Sequence, residues 1–210
     1  MKAVIFDLDG VILSTDDYHY QAWKKMADEE GVYFDRKINN RLRGVSRMES
    51  LNIILEKAQR EYGLKEKHVL CERKNGYYRK LLNHITSKAI FTGAIDFIEF
   101  LKNKGYKVAI GSSSKNATFI VKRVGLEILF DAISDGNNII KSKPDPEVFI
   151  KAAEMLKIDP KDCVVVEDAK AGIDAGNRAK MKTIAVGEAV NYKKADYSFS
   201  DINKIDKNLF

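Results

Sequence analysis

The sequence predicts an α/β fold in which a parallel sheet is covered by helices on both faces and a helical segment is inserted near the N-terminus. Two observations carry this prediction. Short apolar runs alternate with helical patterns along most of the chain, and residues 16–88 contain helical patterns without a convincing strand. Alternating strands and helices favour a parallel sheet whose ligands bind beyond the carboxyl ends of the strands. The prediction therefore covers the fold class and the edge of the sheet that carries the site.

Five apolar runs have the composition of buried parallel strands. The first, Ala3 to Phe6, is continuous and leads directly into acidic residues. The other four are Val108 to Gly111, Phe130 to Ser134, Cys163 to Glu167 and Thr183 to Val186. Helical patterns accompany them at Ala94 to Asn103, Lys115 to Val124, Pro146 to Leu156 and Ala171 to Lys180. We assign residues 1–15 and 89–210 to this core domain.

The inserted segment, residues 16–88, is predicted to be a helical cap domain. Its first helix follows Ser14 and Thr15, whose hydroxyls can cap free backbone amides. A second helix begins at Ser46 with an acidic residue three positions on, as in a capping box, and a third runs from Lys67 to Asn83. Because the insertion leaves the core just after an acidic loop, we expect a lid over the site, with Ser14 and Thr15 as the hinge.

Composition and charge exclude several classes of protein. The 36 Lys and Arg residues exceed the 30 Asp and Glu residues, but they are scattered among acids and form no basic stripe for nucleic acid. The longest apolar runs are far shorter than the roughly 20 residues that cross a bilayer, and no signal-peptide pattern follows Met1. Cys71 and Cys163 lack the spacing of a zinc site. We therefore expect a cytoplasmic protein with two plain thiols and a small anionic substrate.

Two acids follow the first predicted strand. Asp7 and Asp9 are two residues apart, so their side chains would point to one side as long as the chain remains extended. One carboxylate can then hold a divalent ion and attack as a nucleophile, while the other moves a proton. The alternative is a pair of loop acids that cap the next segment.

Two further segments suit a phosphate group. Ser112, Ser113, Ser114, Lys115 and Asn116 combine hydroxyls, amides at a helix start and an ammonium group, although a serine-rich helix cap would have the same composition. A lysine, at position 143, directly precedes a proline, which restricts it to extended geometry and favours an inward direction.

A second acidic pair follows another predicted strand. Glu167 and Asp168 end the run that begins at Cys163. Acids at the tips of two strands repel one another unless a cation lies between them, and carboxylate oxygens are ligands that Mg²⁺ accepts. The pair could therefore join Asp7 and Asp9 around Mg²⁺. The alternative is an acidic cap for the following helix.

Taken in order, four motifs resemble the signature motifs of the haloacid dehalogenase-like superfamily. They are Asp-Leu-Asp-Gly-Val at 7–11, Gly-Ser-Ser-Ser at 111–114, Lys-Pro-Asp-Pro at 143–146 and Glu-Asp-Ala-Lys-Ala-Gly-Ile at 167–173. The resemblance implies a Rossmann-like, doubly wound core with Asp7 as nucleophile, Asp9 as general acid and base, and Ser112 and Lys143 as phosphate ligands. It also implies Mg²⁺ at Asp7, the Asp9 backbone carbonyl and Asp168, with Glu167 adjacent.

Segments of the insertion, together with one segment of the core domain, are similar to the β-phosphoglucomutase family within that superfamily. The matching segments are His19 with Ala22-Trp23-Lys24, the run from Leu42 to Leu51, Arg73-Lys74-Asn75 and Ser114-Lys115-Asn116. The resemblance implies that Arg47 and the last of these segments bind the phosphate that is not being transferred. Ser112, the Ser113 amide and Lys143 would bind the transferring one. The remaining substrate-binding residues would be His19 and Lys74, which would sense the sugar, and Trp23, Leu42, Gly44, Val45, Ser46 and Ser50.

Each candidate site residue of the insertion also has an interpretation that involves no substrate. His19 can be a helix-surface residue, Trp23 a core residue, Lys74 a solvated charge and Arg47 an exposed first-turn cation. Arg47 fits its plain interpretation least, because a cation in the first turn opposes the helix dipole and needs a compensating anion.

The family implies a Mg²⁺-dependent isomerase that interconverts β-D-glucose 1-phosphate and D-glucose 6-phosphate. The reaction would pass through an aspartyl phosphate and β-glucose 1,6-bisphosphate, which also serves as primer. The expected partner is a small-molecule sugar phosphate, with no nucleic acid or membrane partner and a monomeric chain. The alternatives are a sugar-phosphate phosphatase of the same superfamily and a non-catalytic phosphosugar-binding protein.

Overall fold

The computed structural model describes residues 1–43 and 45–210. The chain divides into two units, one formed by Met1–Ser14 with Thr86–Phe210 and the other by Thr15–Ile85. The boundaries predicted from the sequence lie at 15/16 and 88/89. Gly44, which the family resemblance assigns to the sugar site, lies outside the described residues.

The first unit contains a six-stranded parallel sheet. The strands are β1 (Ala3–Phe6), β2 (Lys107–Gly111), β3 (Ala132–Ser134), β4 (Cys163–Glu167), β5 (Lys182–Ala185) and β6 (Tyr197–Ser198). Their order in the sheet is β3-β2-β1-β4-β5-β6, so β1 lies between β2 and β4. Parallel strands in this order place the residues that follow β1, β2 and β4 side by side at one edge, where ligands of such sheets bind.

The fold-class prediction is confirmed, because helices cover both faces of this sheet. The helices of this unit are α5 (Ala94–Asn103), α6 (Ala117–Arg123), α7 (Glu147–Leu156) and α8 (Lys170–Arg178). Successive strand residues point to opposite faces. Ile5 of β1 accordingly packs with Phe149 of α7, while the ring of Phe6 makes an edge contact with Phe97 of α5 at 6.1 Å between centroids.

The predicted elements of the sheet unit differ from the observed ones mainly at their ends. The bounds of β1, β4 and α5 agree with the prediction, whereas β6 was not predicted. Helix α6 begins at Ala117, two residues late, because the hydroxyls of Ser112 and Ser114 accept the amides of Ser114 and Asn116. Such local bonds between serine side chains and the backbone compete with helical hydrogen bonds.

The second unit contains four helices in its described part. They are α1 (Asp16–Glu29), α2 (Arg36–Asn40), α3 (Arg47–Leu55) and α4 (Leu64–Leu82). Their core is formed by residues such as Trp23, Met26, Leu51, Ile54 and Leu70. The short α2 was not predicted; its start is stabilised by Asp35, whose side chain accepts the Ile38 amide at 2.8 Å. Among residues 1–43 and 45–210, no helix has both the length and the apolar character of a membrane span.

The predicted caps of the inserted helices are partly wrong. The Ser46 hydroxyl accepts the Glu49 amide at 3.2 Å, as the capping pattern predicts. Thr15, in contrast, precedes α1 without a side-chain cap, and its hydroxyl accepts a hydrogen bond from the Tyr78 hydroxyl at 2.9 Å. Helix α4 begins before the predicted Lys67, where the Glu66 carboxylate accepts the Gly63 amide.

Candidate functional site

Three carboxylates meet at the carboxyl edge of the sheet. Asp7 follows β1, and Glu167 and Asp168 end and follow β4, the strand paired with β1. The Asp7 amide donates to the Val166 carbonyl at 2.9 Å, which keeps the two strand ends level. One oxygen from each of the three carboxylates lies within 4.8 Å of the others. The neighbouring strand ends therefore bring together acids that are 160 residues apart in the chain.

Lys143 reaches this cluster from the loop before α7. Its Nζ lies 2.5 Å from Asp7 Oδ1 and 2.8 Å from Glu167 Oε2, and the residue is 5% exposed. Burial lowers the pKa of the ammonium group, but the charges of Asp7 and Glu167 outweigh burial and raise the pKa above its usual value. These contacts show that the Lys143 side chain points inward, as expected from the sequence. The peptide bond between Lys143 and Pro144 is cis.

One ammonium group does not balance three carboxylates. Burial, more than any other cause, raises the pKa of Glu167 to about 7 and that of Asp168 to about 9, and the neighbouring carboxylates add to both shifts. A hard divalent cation bound by carboxylate oxygens would supply the missing positive charge. Asp7, Glu167 and Asp168 therefore fit Mg²⁺ in chemistry and in spacing. Asp9 contributes no carboxylate to this group among the described residues, so only its backbone carbonyl, the ligand that the resemblance assigns, remains as a candidate.

Two glycines allow the acids to approach so closely. A Cβ atom on Gly10 would overlap the carboxylate of Asp168, and one on Gly172 would overlap the carboxylate of Glu167. Gly10 also has a φ of 86°, which favours glycine. The chain turns here, since the Gly10 amide donates to the Leu13 carbonyl at 2.8 Å. Because β1 ends at Phe6 and Asp9 forms an isolated bridge with Leu13, strand alternation alone does not place the Asp9 side chain, and its position on the same side as Asp7 stays a prediction.

The loop after β2 is organised by its own serines. Ser112, which is 3% exposed, donates its amide to the Ser134 carbonyl at 3.0 Å, and its hydroxyl accepts the Ser114 amide. The Ser113 hydroxyl accepts the Lys143 amide at 3.4 Å, a link that sequence reasoning missed. Because β2 is the other neighbour of β1, the structure brings the Ser112 loop to the same edge as Asp7. Asn116 is buried and Lys115 is exposed.

In the helical unit, a buried lysine contacts a histidine. Lys74 of α4 is 2% exposed, its Nζ lies 2.7 Å from His19 Nδ1, and it lies over the rings of Trp23 and Tyr78 at 4.8 and 4.5 Å. Burial, followed by the charges of Lys74 and Arg47, holds the pKa of His19 well below its usual value. The plain interpretation of Lys74 as a solvated charge is therefore wrong.

Tyr78 was missed in the sequence. Its ring stacks on that of His19 at 4.0 Å between centroids. The signal that could have found it is its spacing, because a residue four positions after Lys74 on a helix lies on the same face.

Arg47 has the compensating anion that its position in the first turn of α3 requires. Its guanidinium donates to Glu72 Oε1 at 2.8 Å and to Asn75 Oδ1 at 3.0 Å, and its side chain is 24% exposed. Both partners lie on α4. The anion that the sequence predicts for Arg47 is therefore Glu72, a residue of the same helical unit. The position of Arg47 in the first turn of α3 does not by itself indicate a bound phosphate.

The other residues assigned to the sugar site vary in exposure. Trp23 and Leu42 belong to the apolar core of the helical unit, as the plain interpretation of Trp23 holds. Ser50 is also buried, while Val45 and Ser46 are half-buried. Their roles at a sugar stay predictions. The proposed hinge residues Ser14 and Thr15 lie on either side of the division between the two units.

Comparisons with known proteins agree with the motifs. Residues 1–180 match the family model for haloacid dehalogenase-like hydrolases. The chain is 43% identical to a β-phosphoglucomutase of Bacillus subtilis over 93% of this chain and 88% of the relative. It is 31% identical to a phosphorylated carbohydrates phosphatase of Thermotoga maritima over 93% and 89%. A crystal structure of a β-phosphoglucomutase from Clostridium difficile superposes with a TM-score of 0.92 and 40% identity, covering 100% of this chain and 95% of that one.

Proposed function

Because the chain belongs to the haloacid dehalogenase-like hydrolase family, and within it to the β-phosphoglucomutases, we propose that it interconverts β-D-glucose 1-phosphate and D-glucose 6-phosphate. It is an isomerase that moves a phosphoryl group between two positions of one sugar. The observation that carries phosphoryl transfer is the cluster of Asp7, Lys143, Glu167 and Asp168 beside the Ser112 loop, and the similarity to β-phosphoglucomutases supports a sugar hydroxyl as the acceptor. A nucleophilic carboxylate, a buried cation and a set of acids for Mg²⁺ are the groups that phosphoryl transfer requires.

Asp7 is the proposed nucleophile. The cycle begins with the Asp7 carboxylate phosphorylated by the bisphosphate primer: the 6-hydroxyl of β-glucose 1-phosphate attacks that phosphoryl group, the bond between phosphorus and the Asp7 oxygen breaks, and β-glucose 1,6-bisphosphate forms. Lys143 already lies beside this carboxylate, so its charge is available to the oxygens of the transferring group without rearrangement. The Ser112 hydroxyl and the Ser113 amide bind the same group. In the second step, after the bisphosphate has reoriented, the freed Asp7 carboxylate attacks the phosphorus at C1, the bond between phosphorus and the C1 oxygen breaks, and glucose 6-phosphate leaves while the aspartyl phosphate is restored.

Asp9 is the proposed general acid and base. It accepts a proton from the attacking 6-hydroxyl in the first step and gives one to the departing C1 oxygen in the second, so protons balance over the cycle. β-Glucose 1,6-bisphosphate is the intermediate that must reorient between the two steps, and it also primes the enzyme. When bound at Asp7, Asp168 and the Asp9 carbonyl, Mg²⁺ supplies positive charge for the phosphoryl oxygens.

The helical unit is proposed to be a cap domain, residues 16–88, that recognises the sugar and its second phosphate. Arg47 is its phosphate ligand, and His19 and Lys74 respond to the sugar. The support is chemical: Arg47 has a guanidinium that is partly exposed, and Lys74 is a cation held by aromatic rings instead of water. We further propose that the chain acts as a monomer in the cytoplasm.

Replacing Asp168 by alanine should remove the stabilisation that Mg²⁺ gives to the folded protein. A ligand present at 100 times its Kd stabilises the folded state by about 2.7 kcal/mol, and Asp168 is one of few oxygen donors available. We expect the melting temperature of the native protein to rise with Mg²⁺ and that of Asp168→Ala to stay constant. Asp28→Ala, which removes an exposed acid of the helical unit, is the control and should respond as the native protein does. Equal rises in all three proteins would contradict the metal assignment.

Replacing Arg47 by alanine should slow the mutase reaction far more than hydrolysis of a small donor. Losing one charge-assisted hydrogen bond to phosphate costs about 1.5 to 3 kcal/mol, or about 10- to 100-fold. Acetyl phosphate carries no second phosphate, so its hydrolysis should change much less. The measurement compares formation of glucose 6-phosphate with release of phosphate from acetyl phosphate.

The structure offers a matched control for this test. Glu72→Ala breaks the same ion pair but leaves the Arg47 guanidinium in place. It should therefore retain mutase activity, since exposed pairs contribute only about 0 to 1 kcal/mol to stability. If Glu72→Ala loses as much as Arg47→Ala, the ion pair matters for structure and Arg47 is not a phosphate ligand.

A sugar-phosphate phosphatase is the second candidate function, favoured by the 31% identity to the phosphatase of Thermotoga maritima. In that reaction water, not a sugar hydroxyl, resolves the aspartyl phosphate. Product analysis separates the two functions: β-glucose 1-phosphate is incubated with Mg²⁺ and the bisphosphate primer. A mutase forms glucose 6-phosphate with little free phosphate, a phosphatase releases phosphate, and a binding protein forms neither product.

A further inference from the structure

A short loop after β3, residues Asp135 to Asn138, supports the backbone of the serine loop. The Gly136 amide donates to the Ser114 carbonyl at 3.2 Å, and Asn137 Nδ2 donates to the Lys115 carbonyl at 3.0 Å. The two loops are adjacent because β2 and β3 are paired, with Gly111 opposite Ser134. Sequence patterns gave no reason to single out this loop. It nevertheless holds two successive carbonyls of a segment proposed to bind phosphate.

This supporting loop is itself held in one conformation. Asp135 is 3% exposed, and its carboxylate accepts the Thr118 hydroxyl at 2.6 Å and the Asn137 amide at 2.8 Å. Its own amide donates to Asn138 Oδ1 at 2.9 Å. Hydrogen bonds to an ionised acceptor are stronger than neutral ones. The hydrogen bond from Thr118 thus holds the loop against helix α6. The loop can therefore fix the position of the neighbouring serine loop.

Gly136 makes the close approach of the two backbones possible. A Cβ atom at this position would lie 2.5 Å from the Ser113 carbonyl oxygen and 2.8 Å from the Lys115 nitrogen. Both are backbone atoms, so the clash can be relieved only if one loop moves. Gly136 is not among the residues with positive φ, so alanine would be strained by this contact and not by its own backbone angle. An alanine here is therefore a steric probe of the distance between the loops.

We infer that the loop Asp135 to Asn138 positions Ser114, Lys115 and Asn116 for the phosphate that is not transferred, and that Gly136 and Asn137 are the positioning residues. The inference rests on the proposed function, in which this segment binds that phosphate. Two sets of hydrogen bonds hold the segment: serine hydroxyls from within it and the supporting loop from outside. Loss of the hydrogen bonds from the supporting loop should displace Lys115. Binding of the sugar phosphate through its non-transferring phosphate should then weaken. It should not alter chemistry at Asp7.

The test compares the native protein with Asn137→Ala, Gly136→Ala and Ile140→Ala. The last is the control, because Ile140 follows the same loop and is 94% exposed. For each protein, kcat and KM are measured for glucose 6-phosphate formation from β-glucose 1-phosphate with Mg²⁺ and primer. Release of phosphate from acetyl phosphate is measured in parallel, as are melting temperatures.

Asn137→Ala removes the hydrogen bond from Nδ2 to the Lys115 carbonyl and a second one from Nδ2 to Asp135 Oδ1 at 3.0 Å. We expect it to raise KM about 3- to 10-fold, the effect of losing the bond to the serine loop, with kcat and acetyl phosphate hydrolysis within about twofold of native. Gly136→Ala should raise KM further, and Ile140→Ala should change nothing. An unchanged KM in Asn137→Ala would overturn the inference. So would equal losses in both reactions, which would indicate a purely structural role. If the native protein forms no glucose 6-phosphate, the proposed function fails. The calorimetric Kd of glucose 6-phosphate for the four proteins then decides the inference, with the same fold-changes expected.

Discussion

Replacing Asp7 by asparagine should reduce turnover by at least about 10⁴-fold, because an amide cannot form the acyl phosphate that the reaction requires. The structure indicates that the variant will still fold. Lys143 keeps its ion pair with Glu167 at 2.8 Å, and one of three mutually repelling carboxylates becomes neutral. Two measurements test this prediction: the rate of glucose 6-phosphate formation, and the mass of the protein after incubation with acetyl phosphate.

The mass measurement distinguishes the nucleophile from other essential groups. The native protein should gain the mass of one phosphoryl group, and Asp7→Asn should gain none. Asp28→Asn, on the surface of the helical unit, is the control for an Asp-to-Asn change and should behave as native. A folded Asp7→Asn protein that retains near-native turnover, or that is still phosphorylated, would reject Asp7 as the nucleophile.

Replacing Asp9 by asparagine should lower the rate of glucose 6-phosphate formation by about 10²- to 10⁴-fold, the contribution of a positioned acid and base. The sugar oxygen is a poor leaving group that needs a proton, whereas acetate departs as a stable anion. We therefore expect Asp9→Asn to be phosphorylated by acetyl phosphate but to pass the phosphoryl group to the sugar slowly. Intact-mass measurements over time follow both steps.

The Asp9 variant also tests the division of labour between the acids. Its carboxylate lies outside the group formed by Asp7, Glu167 and Asp168, so the rise in melting temperature with Mg²⁺ should persist. A mutase rate equal to native at neutral pH would show that Asp9 moves no proton. Loss of the Mg²⁺ response would show that its side chain is needed for the metal site.

Much of the core fold can be predicted from the sequence because local patterns specify it. The strands β1 and β4 are buried on both faces and therefore consist of uninterrupted apolar residues, apart from Glu167 at the end of β4, which is why their bounds agree with the prediction. In the helical unit, the start of α3 follows similarly from the cap at Ser46, whereas the short α2 and the early start of α4 were not predicted. The late start of α6 could not be predicted, because the hydroxyls of Ser112 and Ser114 were free to cap, to bind or to turn the chain.

The charged residues show the limit of local reasoning. The sequence predicts that Arg47 needs an anion, since the helix dipole is a property of α3 alone. That the anion is Glu72 depends on the packing of α3 against α4, 25 residues away in the chain. Lys74 likewise has the sequence context of a surface lysine, and only the neighbouring rings of Trp23 and Tyr78 make it a buried one.

The sequence by itself determined the element types, the acids at strand ends and the family. The tertiary structure decided which of these strand ends are neighbours. Apolar runs of similar composition can pair in many orders, so hydrophobic pattern alone does not place β1 between β2 and β4. That order brings Asp7, Ser112 and Glu167 to one edge and lets Lys143 reach two of the acids. It also lays Asn137 against Lys115, a contact that depends on the pairing of β2 with β3 and on the absence of a side chain at Gly136.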